Sequence, residues 1–136
     1  MRGIVGLALA TAALAACATI SAGTSQETSL RITYWSDGRL AGDPERWTLR
    51  CRPTRGTLPR AALACRRLAA AGAKLFAPVP PSAVCTQIYG GPQTARVVGK
   101  FKGTRVWANF SRTNGCQISR WNRVSPWLLP AGGVTR

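Results

Sequence analysis

Histidine is absent from this chain, and carboxylates nearly so: its 136 residues hold only four, Glu27, Asp37, Asp43 and Glu45. Without an imidazole neither a Ser-His-Asp triad nor a Cys-His pair can be assembled. A two-carboxylate hydrolase would have to draw its pair from one 19-residue stretch, in which Asp43 and Glu45 flank Pro44 in a segment of turn composition. Close cysteine pairs are also missing. Thirteen residues separate Cys51 from Cys65 and thirty separate Cys85 from Cys116, whereas zinc sites usually space ligands about two to four residues apart within a pair. Neither enzymatic activity, nor a metal, nor a cofactor is expected. Finally, no apolar run reaches the roughly 20 residues that cross a bilayer.

The longest such run, Ile4–Ala16, follows Arg2 and has the form of an export leader. It ends Leu14-Ala15-Ala16-Cys17, which resembles a bacterial lipobox, with Cys17 as the lipid attachment point and new N-terminus. An ordinary signal peptide cut near Ala15 or a little later, with Cys17 discarded, is the alternative. Lipidation also accounts for the odd thiol, since the chain has five cysteines. The reading divides the chain into a leader over 1–16, a flexible spacer over 17–28, one domain over 29–130 and a loose tail over 131–136. The protein is then extracellular, either secreted or tethered to the outer face of the cell membrane.

Charge is lopsided. Nineteen Lys and Arg, sixteen of them Arg, stand against the four acids for a net +15. Such a surface attracts nucleic acid, anionic lipid and acidic polymers alike. Export argues against nucleic acid as the partner. A basic binding module of the cell envelope is the second functional reading.

Along the domain, Ser29–Trp35 alternates with Leu30, Ile32 and Tyr34 on one side, and Arg46–Cys51 alternates with Trp47, Leu49 and Cys51 together. Thr94–Phe101 and Thr104–Phe110 form two more strands around a Lys102-Gly103 turn. A helix is expected from Pro59 to Ala71, capped by Thr57, stopped by Gly72, with Ala61, Ala62, Cys65, Leu68 and Ala69 inward. Pro78, Pro80 and Pro81 forbid a regular element over 74–83. A short helix is expected over Cys116–Val124 with Ile118 and Trp121 inward. Trp127-Leu128-Leu129 either covers a sheet edge or packs on a partner. This is an α+β domain with helices on one face of an antiparallel sheet, its modest core supplemented by disulfides.

The run Cys85-Thr86-Gln87-Ile88-Tyr89-Gly90-Gly91-Pro92 has the composition of a braced, exposed loop. Together with the Cys51–Cys65 segment enclosing an Ala-rich helix, Leu68-Ala69-Ala70, and Asn114-Gly115-Cys116 after the hairpin, it resembles the Streptomyces subtilisin inhibitor family over roughly Leu30 to Leu129. The resemblance implies a sheet of about five antiparallel strands carrying two helices. It implies bridges Cys51–Cys65 and Cys85–Cys116, out of the three pairings that four cysteines allow. It also implies a secreted serine-protease inhibitor that forms homodimers, with subtilisin-like or trypsin-like targets. Carried residue by residue, the reactive bond is Gln87–Ile88, with Val84, Cys85, Thr86, Tyr89 and Gly90 completing the reactive loop. Gln87 departs from the family pattern, which commonly has Met or Lys there.

Overall fold

Period-two alternation draws four segments into one antiparallel sheet: β1 (Thr28–Trp35), β2 (Glu45–Cys51), β3 (Thr94–Phe101) and β4 (Thr104–Phe110), in the order β2-β1-β3-β4. A computed structural model describes Gly3 and residues 26–132. The leader core, the lipobox with Cys17, most of the expected spacer and residues 133–136 lie outside the described residues. Thr28, placed with the spacer by the sequence, is instead the buried first residue of β1.

Register puts the buried apolar positions of the strands on one face. Leu30 lies opposite Leu49 and Gly99, Ile32 opposite Trp47 and Val97, and Tyr34 opposite Ala95. The β3–β4 connection is the two-residue turn expected, with Lys102 (φ 46°) and Gly103 (φ 80°) both left-handed. That is the turn geometry whose twist matches the flanking strands. Lys102 N–H donates to Thr28 Oγ1 and Gly103 N–H to the Glu27 carbonyl, tying the hairpin tip to the start of β1.

Among the described residues the sheet has four strands, not five. Where a fifth would lie, residues 55–58 run along the outer edge of β2. Arg50 and Arg55 exchange both backbone bonds (2.7 and 2.9 Å), and Leu58 N–H reaches the Thr48 carbonyl. Thr57 belongs to this edge: its Oγ1 accepts from Thr48 N–H, so it does not cap the helix that follows.

Helix α1 (Ala61–Ala71) starts after Arg60, in the left-handed region at φ 58°, and ends at Gly72. Its buried residues are Ala64 and Leu68, with Ala61 and Cys65 half-buried. Ala62 and Ala69, expected inward, are exposed. A 3₁₀ turn over Ala73–Phe76 intervenes before the prolines and buries Phe76 against Phe101, rings 5.7 Å apart. Helix α2 (Gly115–Val124) buries Trp121 and Val124, and Ile118 is half-buried. Both helices pack on the apolar face. Trp127, Leu128 and Leu129 complete that core within the same chain, and Trp121 Nε1–H donates to the Pro130 carbonyl at 2.9 Å.

Two disulfides staple the layers. Cys51–Cys65 joins the end of β2 to α1, and Cys85–Cys116 joins the segment before β3 to the first turn of α2. Among the described residues no helix is long and apolar enough to cross a membrane.

Candidate reactive loop

Between the 3₁₀ turn and β3 the backbone has no regular structure over residues 83–91. Its three nearby prolines forbid helix, and nothing pairs with it as a strand. What holds it is the segment that leaves β4 and enters α2. Asn114 shapes that segment: its Oδ1 accepts from Gln117 N–H at 3.0 Å and caps α2. Three attachments then fix the loop. Cys85 is bonded to Cys116. The Thr86 carbonyl accepts from Gly115 N–H at 2.9 Å, and Gly90 N–H donates to the Arg112 carbonyl at 2.7 Å. Two of these precede the Gln87–Ile88 bond and one follows it.

Between the attachments the side chains point to water. Thr86 and Gln87 are exposed. Ile88 keeps 60% and Tyr89 65% of their surface, and Val84 is fully open at 99%. These apolar side chains are open in a chain that buries Leu30, Ile32 and Leu49 completely. Cys85 and Gly90 are half-buried, as anchors must be.

The underside is fitted closely. A Cβ at Gly90 would come within 2.9 Å of Ile118 Cδ1 and 3.2 Å of the Arg112 carbonyl, so Ile118 is the floor beneath the loop's exit. A Cβ at Gly115 would collide with Thr86 Oγ1. Both glycines allow backbone to lie against side chain without a gap.

Two arginines that composition alone assigns to the surface are buried here. Arg112 donates through Nη1 to Gln93 Oε1 at 3.1 Å, closing the turn where the loop re-enters the sheet. Arg120 donates through Nη1 to the Asn109 carbonyl at 2.7 Å and stacks its guanidinium 4.4 Å from the Phe110 ring centroid. It thereby locks α2, and with it Cys116, to the end of β4. Burial, and then neighbouring Arg123, lowers the Arg120 pKa from its ordinary value. The only sequence signal for either residue is its place beside the strand end and the helix; spacing does not mark them.

Residues 26–114 match the subtilisin inhibitor-like family, and the chain belongs to that family. Among solved structures it is similar to Streptomyces caespitosus sermetstatin, seen in complex with Bacillus licheniformis subtilisin. The two are 27% identical, with 76% of this chain and 97% of that one covered and a TM-score of 0.51. No curated protein matches the chain. The family is one of protease inhibitors, and the chain is placed with inhibitors of subtilisin-type proteases.

Proposed function

We propose that this protein is an exported inhibitor of serine endopeptidases, subtilisin-like first and trypsin-like second, that offers Gln87–Ile88 as its reactive bond. The observation that carries the reading is the bracketing of that bond: both of its sides are fastened to the same short segment, residues 112–116. A free peptide loses conformational entropy when a protease orders it, and its fragments leave after cleavage. A loop already held exposed between fixed ends avoids most of the first loss. If the bond is cut, Ile88 and Tyr89 stay attached through Gly90, and Thr86 and Gln87 through Cys85 and Gly115. The new amine does not diffuse away, so the acyl-enzyme is reversed.

Gln87 sets the target class. Its amide is neither the cation that a trypsin-like pocket pairs with nor an apolar plug, and burying it without partners costs about 1–3 kcal/mol. A broad subtilisin-like pocket is the better host. Cys17 serves in this reading as the lipid attachment that keeps the inhibitor at the outer face of the membrane.

The test is titration of the exported protein against subtilisin-like and trypsin-like proteases, with intact mass followed over time. Stoichiometric inhibition of a subtilisin-like enzyme with slow, partial cleavage between Gln87 and Ile88 is expected. Rapid complete digestion of folded protein, or cleavage elsewhere with no inhibition, refutes it.

A further inference from the structure

At the end of the sheet farthest from the loop, a small pocket opens between the start of β1, the β3–β4 turn and α1. Strand pairing fixes how far apart the two lie. The loop re-enters the sheet at Thr94, beside Trp35, and its anchors leave β4 after Phe110. The pocket lies where Thr28 meets Cys51 and where β3 ends at Phe101. The length of β1, roughly 23 Å, separates the two ends.

This pocket, of about 290 Å³, has two kinds of wall. Leu68, Phe101 and the Cys51–Cys65 bridge make an apolar floor. Exposed Ala62 and Ala69 of α1 border it and leave the way to the floor open. Arg52, Arg66 and Lys102 complete the lining, all three exposed, and among the described residues no carboxylate joins them. Glu27, next to the pocket in sequence, has its carboxylate 3.9 Å from Arg50. Lys102 is fixed at both ends: its backbone N–H donates to Thr28 Oγ1, and its ammonium lies 5.4 Å from the centroid of the Phe101 ring. Three cations are thus gathered from the end of β2, from α1 and from a hairpin tip around one apolar floor.

We infer that this pocket holds the headgroup of an anionic phospholipid at a bilayer surface, with the phosphate among Arg52, Arg66 and Lys102 and the glycerol against the floor. An inorganic anion would use the cations alone, and an acyl chain the floor alone. A glycerophosphate headgroup matches both, its charged oxygens accepting from the guanidinium and ammonium groups. Position favours a bilayer as the source. Gln26, the first described residue ahead of β1, also lines the pocket. It stands nine positions after Cys17, a span of at most about 30 Å. A chain tethered at Cys17 brings this end nearest the membrane and leaves the loop bearing Gln87 at the far end, open to soluble proteases. Each cation at an anionic bilayer contributes about a fivefold gain in binding. The composition of the pocket carries the inference, which needs neither lipid on Cys17 nor inhibition by the loop.

The test compares binding of the exported protein to vesicles of 30% phosphatidylglycerol in phosphatidylcholine with binding to pure phosphatidylcholine, so that any acyl anchor cancels in the ratio. Arg52→Asn, Arg66→Gln and Lys102→Asn together are expected to reduce that ratio about a hundredfold. Asparagine is used at positions 52 and 102 because both have left-handed backbone, at φ 67° and 46°, which asparagine tolerates. Arg67→Gln, Lys74→Gln and Arg123→Gln, exposed and outside the pocket, remove equal charge. They are expected to reduce the ratio less than about fivefold. Ala62→Gln blocks the pocket from an exposed helical position without changing charge, and a reduction of about fivefold or more is expected. Circular dichroism melts check folding. If the triple variant is unfolded, Ala62→Gln and Arg66→Gln carry the test singly, each with about that same reduction. Equal loss in the two charge sets, no loss with Ala62→Gln, or no preference for phosphatidylglycerol overturns the inference. Soluble glycerol 1-phosphate that abolishes the preference at micromolar concentration assigns the pocket to free phosphate esters and overturns it. Ile20→Ser is expected to leave the ratio unchanged. A rise of about tenfold would mean that the chain's own segment ahead of Gln26 fills the pocket, and likewise overturns it.

Discussion

Ile118, on the first turns of α2, lies directly under Gly90, whose N–H is bonded to the Arg112 carbonyl at 2.7 Å. The contact supports the leaving side of the proposed reactive bond without being part of the surface offered to a protease. Ile118→Ala opens a gap beneath the loop exit and removes packing at a half-buried site. Affinity for a subtilisin-like protease should fall about three- to tenfold, and cleavage of the loop during incubation should accelerate. Thermal stability should drop only slightly, since the full cost of about 2–5 kcal/mol applies to fully buried sites. Unchanged cleavage kinetics would show that Gly90 needs no floor.

Thr86 and Gly115 give a second, independent test on the other side of the bond. A methyl group at position 115 collides with Thr86 Oγ1, and its relief requires moving the residue whose carbonyl is held by Gly115 N–H. Gly115→Ala should therefore weaken inhibition by about an order of magnitude. Thr86→Ala removes the colliding oxygen, and the double variant should recover most of the loss. Coupling between contacting residues of roughly 0.5–3 kcal/mol is the range in which such rescue falls. Strictly additive effects would mean that the two residues do not act through this contact.

The two disulfides should separate stability from function. Each closes a loop, of sequence separation 14 for Cys51–Cys65 and 31 for Cys85–Cys116. Chain entropy alone makes them worth a similar amount, about 3 and about 4 kcal/mol. Only Cys85–Cys116 lies beside the exposed segment. Cys85→Ser with Cys116→Ser should convert the protein from inhibitor to substrate, with complete cleavage between Gln87 and Ile88. Cys51→Ser with Cys65→Ser should lower the melting temperature while leaving inhibition stoichiometric below it. Equal functional loss in the two, at equal foldedness, would remove the special role given to Cys85.

In the proposed function Gln87 governs target choice through its terminal group, so its replacement reads the loop's presentation directly. Gln87→Lys supplies a cation where a trypsin-like pocket offers a carboxylate, and trypsin inhibition should strengthen by at least an order of magnitude with no change in melting temperature. No gain in a folded variant places the reactive bond elsewhere.

How much of this was legible before the structure depends on the residue type. Strands β1 to β4 follow from alternation, because Leu30, Ile32, Tyr34, Val97 and Phe110 leave one register that buries them all. The inward face of α1 was misplaced by a residue because alanine occupies both sides of it; with Ala62 and Ala64 alike, pattern cannot choose the face, and packing against β2 does. The missing fifth strand became the β2-edge contacts of residues 55–58, which use Thr57 in a way that imitates a helix cap in sequence. The exposed run around Gln87 was readable from its prolines, glycines and cysteine. Its supports were not, since Arg112 and Arg120 look like solvent-facing charge until the fold surrounds them, and the contact between Ile118 and Gly90 joins residues far apart in sequence.

Alkaline pH provides a last test, of the core beneath the sheet. Tyr34 stacks on Trp47 at 5.9 Å and lies 6.2 Å from Trp121. Burial first, then the nearby Glu45 and Asp37 carboxylates, raise the pKa of its hydroxyl above the ordinary value of 10.0, against a smaller opposing effect of Arg112. The unfolded chain therefore gives up this proton before the folded one does. Its contribution to stability is complete below about pH 10, and is lost as pH rises from there through the folded value. Denaturant unfolding followed from pH 7 to 11 should show stability declining more steeply in the parent than in Tyr34→Phe. Identical slopes would mean that the hydroxyl reaches water in the folded state, and that Tyr34 is not sealed between β1 and Trp121 as its ring contacts require.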